Sequence, residues 1–385
     1  MSAEYFEVKC SIVRGGTSKA VFIPENELPT DMELRKKTIL AIFGSPDIRQ
    51  IDGLGGADLL TSKLAVVGPP SIPEADVDYS FAQVGLDDDR VEFDAICGNI
   101  SSGVGPWAIN NNLVKPVEPV TTVRIHMTGI GKIMTAQVPV KDGKALVCGD
   151  FAIDGVPGTG APIALDWKNI VGGKTGRLLP TGKPVDVIEH DGRQYHVTLV
   201  DAGSITVFLS AEELGVTGTE TPQAMEANGP LMELIEALRG KAAVMAGLCG
   251  DWRTAKTASA YLPFAVVVSP AQDYVCFNGR EVSRRDISLT GRLYTMGKIN
   301  KTYAGSGAVC TGVAARIPGS LVWSMMTPEA REKDIVTIGH CSGSIPVESS
   351  VTADGGKFTV EKVNIFRTAR VIMDGTVYVR RDRVE

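Results

Sequence analysis

Short runs of β-branched and aromatic residues, each ended by Gly, Pro or Asp, recur along most of this chain and constrain its fold more than any other feature. In the first half they are KLAVVG, DYSFAQVGL, TTVRIHMT, IMTAQVPV and KALVCGDFAI. Runs of this length and composition predict β-strands. After PGTGAP and LPTGKP the pattern begins again with VDVIEH and YHVTLVDAGSITVFLS. The sequence therefore predicts two strand-rich lobes divided near residues 181–184.

Three segments show features of helices instead. In TDMELRKKTILAIFG, Thr30 and Glu33 form a capping box and Gly44 marks the end of the helix. In PLMELIEALRGKAAVMA, leucines recur at helical spacing behind Pro230. The segment DISLTGRLYTMG is also predicted to be helical. Helices are therefore few, and they interrupt a pattern dominated by strands.

Charge and hydropathy exclude several classes of protein. The 385 residues carry a net charge of -6 with no long run of one sign, which argues against a nucleic-acid surface. No apolar stretch approaches the length of a membrane span, and the first residues lack the pattern of a secretory signal. The expected partner is a small molecule, and the expected location is the cytoplasm.

Cysteine and histidine spacing argues against both disulfides and a metal site. The seven cysteines are odd in number and widely spaced, and no C-x-x-C pair occurs. The four histidines are scattered without metal-ligand spacing. Reduced thiols fit this pattern, and any chemistry is expected to use Lys, Cys, hydroxyl groups and backbone dipoles.

The glycine-rich stretch DGLGGADLLTSK resembles a phosphate-binding loop only superficially. A P-loop requires Lys directly after Gly, whereas here several residues separate Gly56 from Lys63. The glycines therefore predict a tight backbone turn, and Lys63 stands at the start of a strand. Most lysines at strand ends are solvated, so a solvated Lys63 is the plain alternative to a functional one.

A second basic cluster, RGGTSKAVFI, repeats the tripeptide T-S-K that ends the glycine-rich stretch. Arg14, Thr17, Ser18 and Lys19 offer charged groups and hydroxyls to an anion such as a carboxylate. Two unrelated surface turns are the alternative interpretation.

The segment CGNISSGVG has the residues expected where a strand leads into a helix. Cys97 would precede the first helical turn, where unsatisfied N–H groups and the helix dipole favour a thiolate. The segment AVCTGVAARIPGSLV shares this outline, which predicts a similar place for Cys310 in the second half. A chance similarity between glycine-rich turns, or an inert buried thiol, is the alternative.

Taken together, RGGTSKAVFI, IDGLGGADLLTSKLAVVG, CGNISSGVGPWAI, KTYAGSGAVCTGVAARIPG and RTARVIMDGTVYV resemble the PrpF-type isomerase family nearly from end to end. That family includes isomerases of 2-methylaconitate, 4-oxalomesaconate and 3-methylitaconate. The segments FGSPDIRQIDGLGGAD, DVDYSFAQV, DGVPGTGAP and IPVES resemble the 3-methylitaconate Δ-isomerases most.

The resemblance implies an α+β, diaminopimelate-epimerase-like fold with two similar lobes, each a sheet around a central helix, and a site in the cleft between them. We expect residues 1–182 to form the first lobe and residues 183–385 the second, with the last strand returning to the first lobe. The resemblance further implies an allylic proton shift on a small unsaturated di- or tricarboxylate without metal or organic cofactor. The expected reaction interconverts 3-methylitaconate and 2,3-dimethylmaleate. The catalytic pair it implies is Lys63 and Cys97. The expected substrate-binding residues are Arg14, Thr17, Ser18, Lys19, Ser62, Gly98, Asn99, Ser101, Lys301, Thr302, Ser306, Cys310 and Ser342.

Several alternatives remain open from the sequence. Another substrate of the family, 2-methylaconitate, aconitate or 4-oxalomesaconate, is one alternative to 3-methylitaconate. Cys97 and Cys310 together would suit a two-thiol racemase or epimerase, and a non-catalytic tricarboxylate-binding protein is a third hypothesis. Sequence alone assigns neither the order in which Lys63 and Cys97 move the proton nor the oligomeric state, including a homo-oligomer.

Overall fold

The computed structural model describes residues 4–93 and 96–384. Its strands are β1 (Tyr5–Gly15), β2 (Ser18–Pro24), β3 (Lys63–Gly68), β4 (Val77–Val84), β5 (Val91–Glu92), β6 (Val120–Met127), β7 (Lys132–Lys141), β8 (Lys144–Ala145), β9 (Phe151–Ala152), β10 (Thr159–Gly160), β11 (Ile163–Asp166), β12 (Asp186–His190), β13 (Arg193–Val200), β14 (Thr206–Ser210), β15 (Phe264–Pro270), β16 (Tyr274–Val275), β17 (Glu281–Val282), β18 (Leu289–Thr295), β19 (Lys298–Ile299), β20 (Ile335–His340), β21 (Gly343–Asp354), β22 (Lys357–Arg367) and β23 (Ala369–Arg380). Its helices are α1 (Met32–Phe43), α2 (Gly98–Asn110), α3 (Ala211–Leu214), α4 (Pro222–Ala227), α5 (Gly229–Met245), α6 (Ala255–Ala258), α7 (Gly305–Ala314), α8 (Leu321–Ser324) and α9 (Pro328–Glu332).

The chain divides into two compact units. The first comprises Met1–Leu165 and Arg367–Glu385, and the second comprises Asp166–Phe366. The boundary predicted near residues 181–184 lies inside the second unit. The final segment, which carries β23, belongs to the first unit because β23 pairs along its length with β1.

The sheet of the first unit is mixed. Strands β23, β1 and β2 are neighbours in antiparallel pairs, and β2 then pairs in parallel with β3. Strand β3 pairs antiparallel with β4, β4 pairs in parallel with β6, and β6 pairs antiparallel with β7. The starts of β2 and β3 are therefore held by a continuous hydrogen-bonded sheet rather than by isolated loops.

Helices α1 and α2 pack against alternate side chains of β2. Val21 and Ile23 of β2 join the core that contains α1, whereas Phe22 between them packs against Trp107 of α2, with ring centroids 6.0 Å apart. Successive strand residues point to opposite faces of a sheet, so this alternation places one helix on each face. Helix α2 is buried from Gly98 to Ile109 and is the central helix of the unit.

The second unit repeats this plan. Strands β12 to β15 are consecutive neighbours, β15 pairs antiparallel with β18, and β18, β20, β21 and β22 complete the sheet. Every residue of α7 is buried, and α7 contacts β13 and β21. A mixed α+β fold with one buried central helix in each unit agrees with the predicted fold class.

The capping of α1 differs in one detail from the sequence-based prediction. Its N-cap is Asp31, whose side chain accepts a hydrogen bond from the backbone N–H of Leu34. Thr30, the predicted cap, lies one residue too early. Gly44 ends the helix in the left-handed conformation, with φ of 72°, as predicted. The helix PLMELIEALRGKAAVMA is also confirmed, as α5.

Two predicted elements are wrong or incomplete. The segment DISLTGRLYTMG contains strand β18 rather than a helix. All residues of β18 are buried, so the polar alternation that marks a half-exposed strand is missing. In KALVCGDFAI, only the ends form short strands, β8 and β9. Within the described residues, no helix is long and apolar enough to cross a membrane.

Candidate active site

Lys63 begins β3 and lies in the interior, where only 5% of the residue is exposed. It stands opposite Gln83 on β4 and donates a hydrogen bond from Nζ to Gln83 Oε1 at 2.6 Å. Gln83 in turn donates from Nε2 to the backbone carbonyl of Ser62 at 2.9 Å. The alternative of a solvated Lys63 is therefore wrong, because register and hydrogen bonding hold its amine inside the protein.

The glycine-rich stretch before Lys63 forms a close backbone packing. A Cβ atom added to Gly53 would lie 2.2 Å from the backbone nitrogen of Gly44 at the end of α1. Ser62 is fully buried and donates from Oγ to Gln50 Oε1 at 2.5 Å. The glycines thus serve the backbone turn that the sequence predicted, and the turn delivers Lys63 to the start of β3.

Cys97 is the N-cap residue of α2, as predicted, and is 6% exposed. The first N–H groups of a helix lack helical partners and carry partial positive charge. Gly15, at the end of β1, touches this first turn so closely that a Cβ atom would lie 2.4 Å from the carbonyl oxygen of Asn99. The thiol therefore belongs to the positive end of a buried helix whose position is set by β1.

Arg367 is a candidate site residue that the sequence analysis missed. It is 2% exposed and donates from Nε to Asn99 Oδ1 at 3.0 Å, and Asn99 donates from Nδ2 to Thr17 Oγ1 at 3.0 Å. An arginine within the apolar run NIFRTARVIM was a signal of a buried charge. Its partner, Asn99, lies far away in sequence, so the contact between them could not be predicted from the sequence.

Lys63 and Arg367 both interact electrostatically with Cys97. Burial lowers the pKa of the Lys63 amine, and the charges of Cys97 and Asp58 oppose this shift. Burial also lowers the pKa of Arg367, to about 10, against the opposing effect of Cys97. At neutral pH, Arg367 therefore stays cationic, whereas the Lys63 amine is moved towards its neutral, basic form.

A cavity of about 430 Å³ brings together four of the predicted substrate-binding residues. Arg14, Thr17, Ser18 and Lys19 line it, together with Thr61, Thr368, Arg370, Ile153 and the residues 155–159. Arg14 is anchored by hydrogen bonds from Nη1 to the carbonyl oxygens of Gly16 and Thr368. Among the described residues that line the cavity, neither Lys63 nor Cys97 is present, although Thr61 lies two residues before Lys63.

Gly98, Asn99 and Ser101 all lie in the first turn of α2. The Ser101 hydroxyl donates to the carbonyl oxygen of Cys97 at 2.8 Å, within the helix. Gly98 follows Cys97 directly, and helix geometry leaves its N–H without a helical acceptor. These residues follow Cys97 in the first turn of α2, and their role in binding a substrate stays a prediction.

The remaining predicted residues belong to the second unit. Ser306 lies in the first turn of α7 and accepts a hydrogen bond from Ser204 Oγ at 2.8 Å. Ser342 is buried, and its backbone N–H donates to His340 Nδ1 at 3.3 Å. Lys301 is exposed and Thr302 is buried, just before α7.

The position predicted for Cys310 is wrong. It lies in the middle of α7, where it is fully buried and donates from Sγ to the carbonyl oxygen of Val200 at 3.3 Å. The N-cap of α7 is Ala304. Burial raises the pKa of the Cys310 thiol to about 12. The prediction assumed that Cys310 stands at its helix as Cys97 does. It is wrong because α7 begins at Gly305, well before Cys310.

The part of the chain that the structure describes offers no obvious metal site. Within residues 4–93 and 96–384, no three His, Cys, Asp or Glu side chains are grouped so that they could hold a metal ion. The chemical groups of the candidate site are therefore an amine, a thiol, a guanidinium and the N–H groups of α2.

Comparison with known proteins supports the fold and shows the family. The chain is 47% identical over 383 residues to the 3-methylitaconate isomerase of Eubacterium barkeri, covering 99% of this chain and 100% of that protein. A crystal structure of methylitaconate-delta-isomerase superposes with a TM-score of 0.81 at 46% identity, covering 100% of this chain and 98% of the other.

More distant structures share the fold. A hydroxyproline epimerase from Agrobacterium vitis superposes with a TM-score of 0.55 at 12% identity, covering 97% of this chain and 93% of that one. This likeness concerns the fold alone, and it confirms the predicted epimerase-like architecture. The family model described as PrpF protein matches residues 5–380. The chain therefore belongs to the PrpF family.

Proposed function

We propose that this protein is an isomerase that shifts a carbon–carbon double bond in a small unsaturated dicarboxylate, and that it interconverts 3-methylitaconate and 2,3-dimethylmaleate. The observation that carries the proposal is a buried lysine with a lowered pKa that interacts with a thiol at the N-cap of a buried helix. The similarity to the 3-methylitaconate isomerase of Eubacterium barkeri supports the choice of substrate.

Lys63 is the base in this mechanism. Its neutral amine donates one N–H to Gln83 Oε1 and keeps its lone pair for the substrate. The lone pair takes the proton from the carbon that bears the methyl group and one carboxylate. The electrons of the broken C–H bond delocalise into the adjacent carboxylate and across the double bond, and the methylene carbon becomes nucleophilic.

Cys97 is the acid in the same step. Its thiol gives a proton to the methylene carbon, which becomes a methyl group as the double bond moves to the central carbons. One C–H bond breaks and one forms, and transfer of a proton from the Lys63 ammonium to the thiolate restores both groups. The substrate is neither oxidised nor reduced, so the atoms and electrons balance without a co-reactant.

Two features stabilise the charge that develops on the adjacent carboxylate. The first-turn N–H groups of α2 present partial positive charge at Cys97, and Arg367 adds a full positive charge that Asn99 orients. Groups of this kind accelerate a reaction when they bind the intermediate more strongly than the substrate. The seven unpaired cysteines support the further proposal that the enzyme works in the cytoplasm.

The test follows the substrate in D2O. We expect the protein to convert 3-methylitaconate, with loss of the vinyl signals in the proton NMR spectrum and incorporation of deuterium into the new methyl group. The same assay with 2-methylaconitate and 4-oxalomesaconate ranks the alternative substrates of the family. Tight binding of these acids with neither conversion nor deuterium incorporation would refute the proposal in favour of a binding protein.

A further inference from the structure

Three cations stand side by side on adjacent strands of the first unit. Arg14 of β1 lies directly opposite Arg370 of β23 on one side and directly opposite Lys19 of β2 on the other. All three line the 430 Å³ cavity, and none of its described lining residues is an Asp or a Glu. Like charges in directly opposed positions of a sheet destabilise it. A row of three is therefore costly unless an anion binds it.

Arg14 shows the effect of this crowding. Burial lowers the pKa of Arg14, and the neighbouring charge of Arg370 lowers it further. Arg14 is held by two backbone carbonyls, whereas the side chains of Lys19 and Arg370 form no ion pair with any carboxylate among residues 4–93 and 96–384. Two of the three charges thus have no partner within the described part of the chain.

Ser18 provides an independent indication of a ligand. It lies between Thr17 and Lys19 in the cavity lining and is only 3% exposed. Its hydroxyl is buried and makes no hydrogen bond to a described residue. An unsatisfied buried hydroxyl costs free energy, which a bound acceptor would recover.

Residues that line the cavity lie near Lys63 and Arg367 in sequence, and one of them is hydrogen-bonded to the helical turn that Cys97 caps. Thr61 lines it and lies two residues before Lys63. Thr17 lines it and accepts the hydrogen bond of Asn99, in the helical turn that Cys97 caps. Thr368 lines it and follows Arg367 directly. The segments that carry Lys63, Cys97 and Arg367 therefore also contribute to, or contact, the lining of this cavity.

We infer that the cavity binds the second carboxylate of the substrate, the one that takes up no charge during the proton shift, through Arg370, Arg14 and the hydroxyl of Ser18. This inference rests on the proposed function. It makes Arg370 and Ser18 residues that select dicarboxylates and tricarboxylates over monocarboxylates. Because this carboxylate keeps its charge throughout, its contacts bind substrate and transition state equally and act on KM rather than on kcat.

The first test compares Arg370→Gln with the wild-type protein. We expect KM to rise by about tenfold to a hundredfold, the size expected for lost hydrogen bonds to a charged group, while kcat changes little. Arg370→Lys should restore part of the affinity, because it restores the charge without the fork of two donors. Arg380→Gln, which removes the same charge from an exposed position of β23, is the matched control and should change neither constant.

The second test uses Ser18→Ala. Removal of a buried hydroxyl without a protein partner should not lower the melting temperature, whereas KM should rise by about three- to tenfold, as for the loss of one hydrogen bond. A merely structural role for Ser18 predicts the opposite combination, a lower melting temperature with an unchanged KM, and that result would overturn the inference for this residue.

Calorimetric titration separates this inference from the proposed function. We expect the wild-type protein to bind succinate more tightly than butyrate, and Arg370→Gln to abolish the difference. If no isomerisation is detected but this pattern holds, the proposed reaction fails and the carboxylate site stands. If isomerisation is normal in Arg370→Gln and succinate binds unchanged, the site is wrong and the reaction stands. Binding of inorganic phosphate that depends on Arg370 but does not compete with substrate would also overturn it.

Discussion

The two central helices of this protein, α2 and α7, begin with the same backbone packing but have different side chains around their first turns. In α2, the N-cap is Cys97, and Gly15 approaches the carbonyl of Asn99 so closely that a Cβ atom would lie 2.4 Å away. In α7, the N-cap is Ala304, and Gly203 approaches the carbonyl of Ser306 in the same manner, at 2.6 Å. A glycine from a neighbouring segment therefore touches the second helical residue in both units.

What differs is the set of side chains around each helix start. The N-cap of α2 is a thiol that interacts with two buried basic groups, the Lys63 amine and the Arg367 guanidinium. The N-cap of α7 has no ionisable group, and the cysteine of that helix is buried in its middle with a raised pKa. The comparison teaches that both units supply a helix dipole, whereas a thiol at the N-cap that interacts with a buried lysine is described at α2 and not at α7. It argues against the two-thiol racemase.

Among the substitutions that test this comparison, Lys63→Met is expected to lower activity most. The substitution keeps a buried side chain of similar length and removes the base, so kcat/KM should fall by about 10³- to 10⁴-fold. Because the folded protein lowers the pKa of Lys63, a protonated lysine disfavours folding at neutral pH. That cost falls as pH rises from the lowered pKa to the ordinary value. The melting temperature of Lys63→Met at neutral pH should therefore be equal or higher.

The matched control for this variant is Lys298→Met. Lys298 also begins a strand, β19 of the second unit, but it is exposed. Its replacement should leave the rate of isomerisation unchanged. Normal turnover by Lys63→Met would mean that the base lies elsewhere. The conclusion that the proton-moving groups lie at the start of α2 would then be wrong.

Replacing the two cysteines separately tests the comparison directly. Cys97→Ser should lower kcat/KM by about 10²- to 10³-fold, because a hydroxyl is a much poorer acid at the same place. Cys310→Ser should leave kcat/KM unchanged and cost about 1 kcal/mol of unfolding free energy, because it changes a buried, well-packed group. Steady-state assays and urea denaturation measure the two effects. Equal losses of activity in both variants would restore the two-thiol hypothesis.

Arg367→Gln should have an intermediate effect. Loss of the positive charge beside Cys97 is expected to lower kcat by about tenfold to a hundredfold, and Arg367→Lys should retain part of the rate. The control is Arg239→Lys, because Arg239 is a similarly buried arginine that is bonded to Glu236 in the second unit. It should lower the melting temperature without changing kcat of the folded enzyme. A purely structural role for Arg367 predicts the same behaviour in Arg367→Lys.

Asp58→Asn should give the smallest effect, a shift in the pH profile. Activity is expected to rise with pH as Lys63 loses its proton, at a pH below the ordinary range for lysine. The charge of Asp58 raises the pKa of Lys63, so its removal should move the rising limb to lower pH. Asp89→Asn, at an exposed carboxylate, is the control. A profile that does not move, or that moves to higher pH, would contradict Lys63 as the titrating base.

Much of the local structure could be predicted from the sequence. The strands at KLAVVG and DYSFAQVGL, the end of α1 at Gly44 and the place of Cys97 before a helix all follow from short-range patterns of apolar, β-branched and glycine residues. The errors also have a local cause. β18 is buried on both faces and lacks the alternation that identifies a strand, and the similarity between two glycine-rich turns misplaced Cys310.

The sequence by itself determined which residue types this site contains: a lysine at a strand start, a thiol before a helix and a basic, hydroxyl-rich turn. Only the tertiary structure decided that Lys63 is buried against Gln83, that Arg367 reaches Asn99, and that Arg370, Arg14 and Lys19 form one row. The physical reason is that burial and charge pairing depend on strand register and on the return of the final strand to the first unit. Neither the register nor the return of the final strand produces a recognisable pattern in the sequence around Lys63, Arg367 and Arg370.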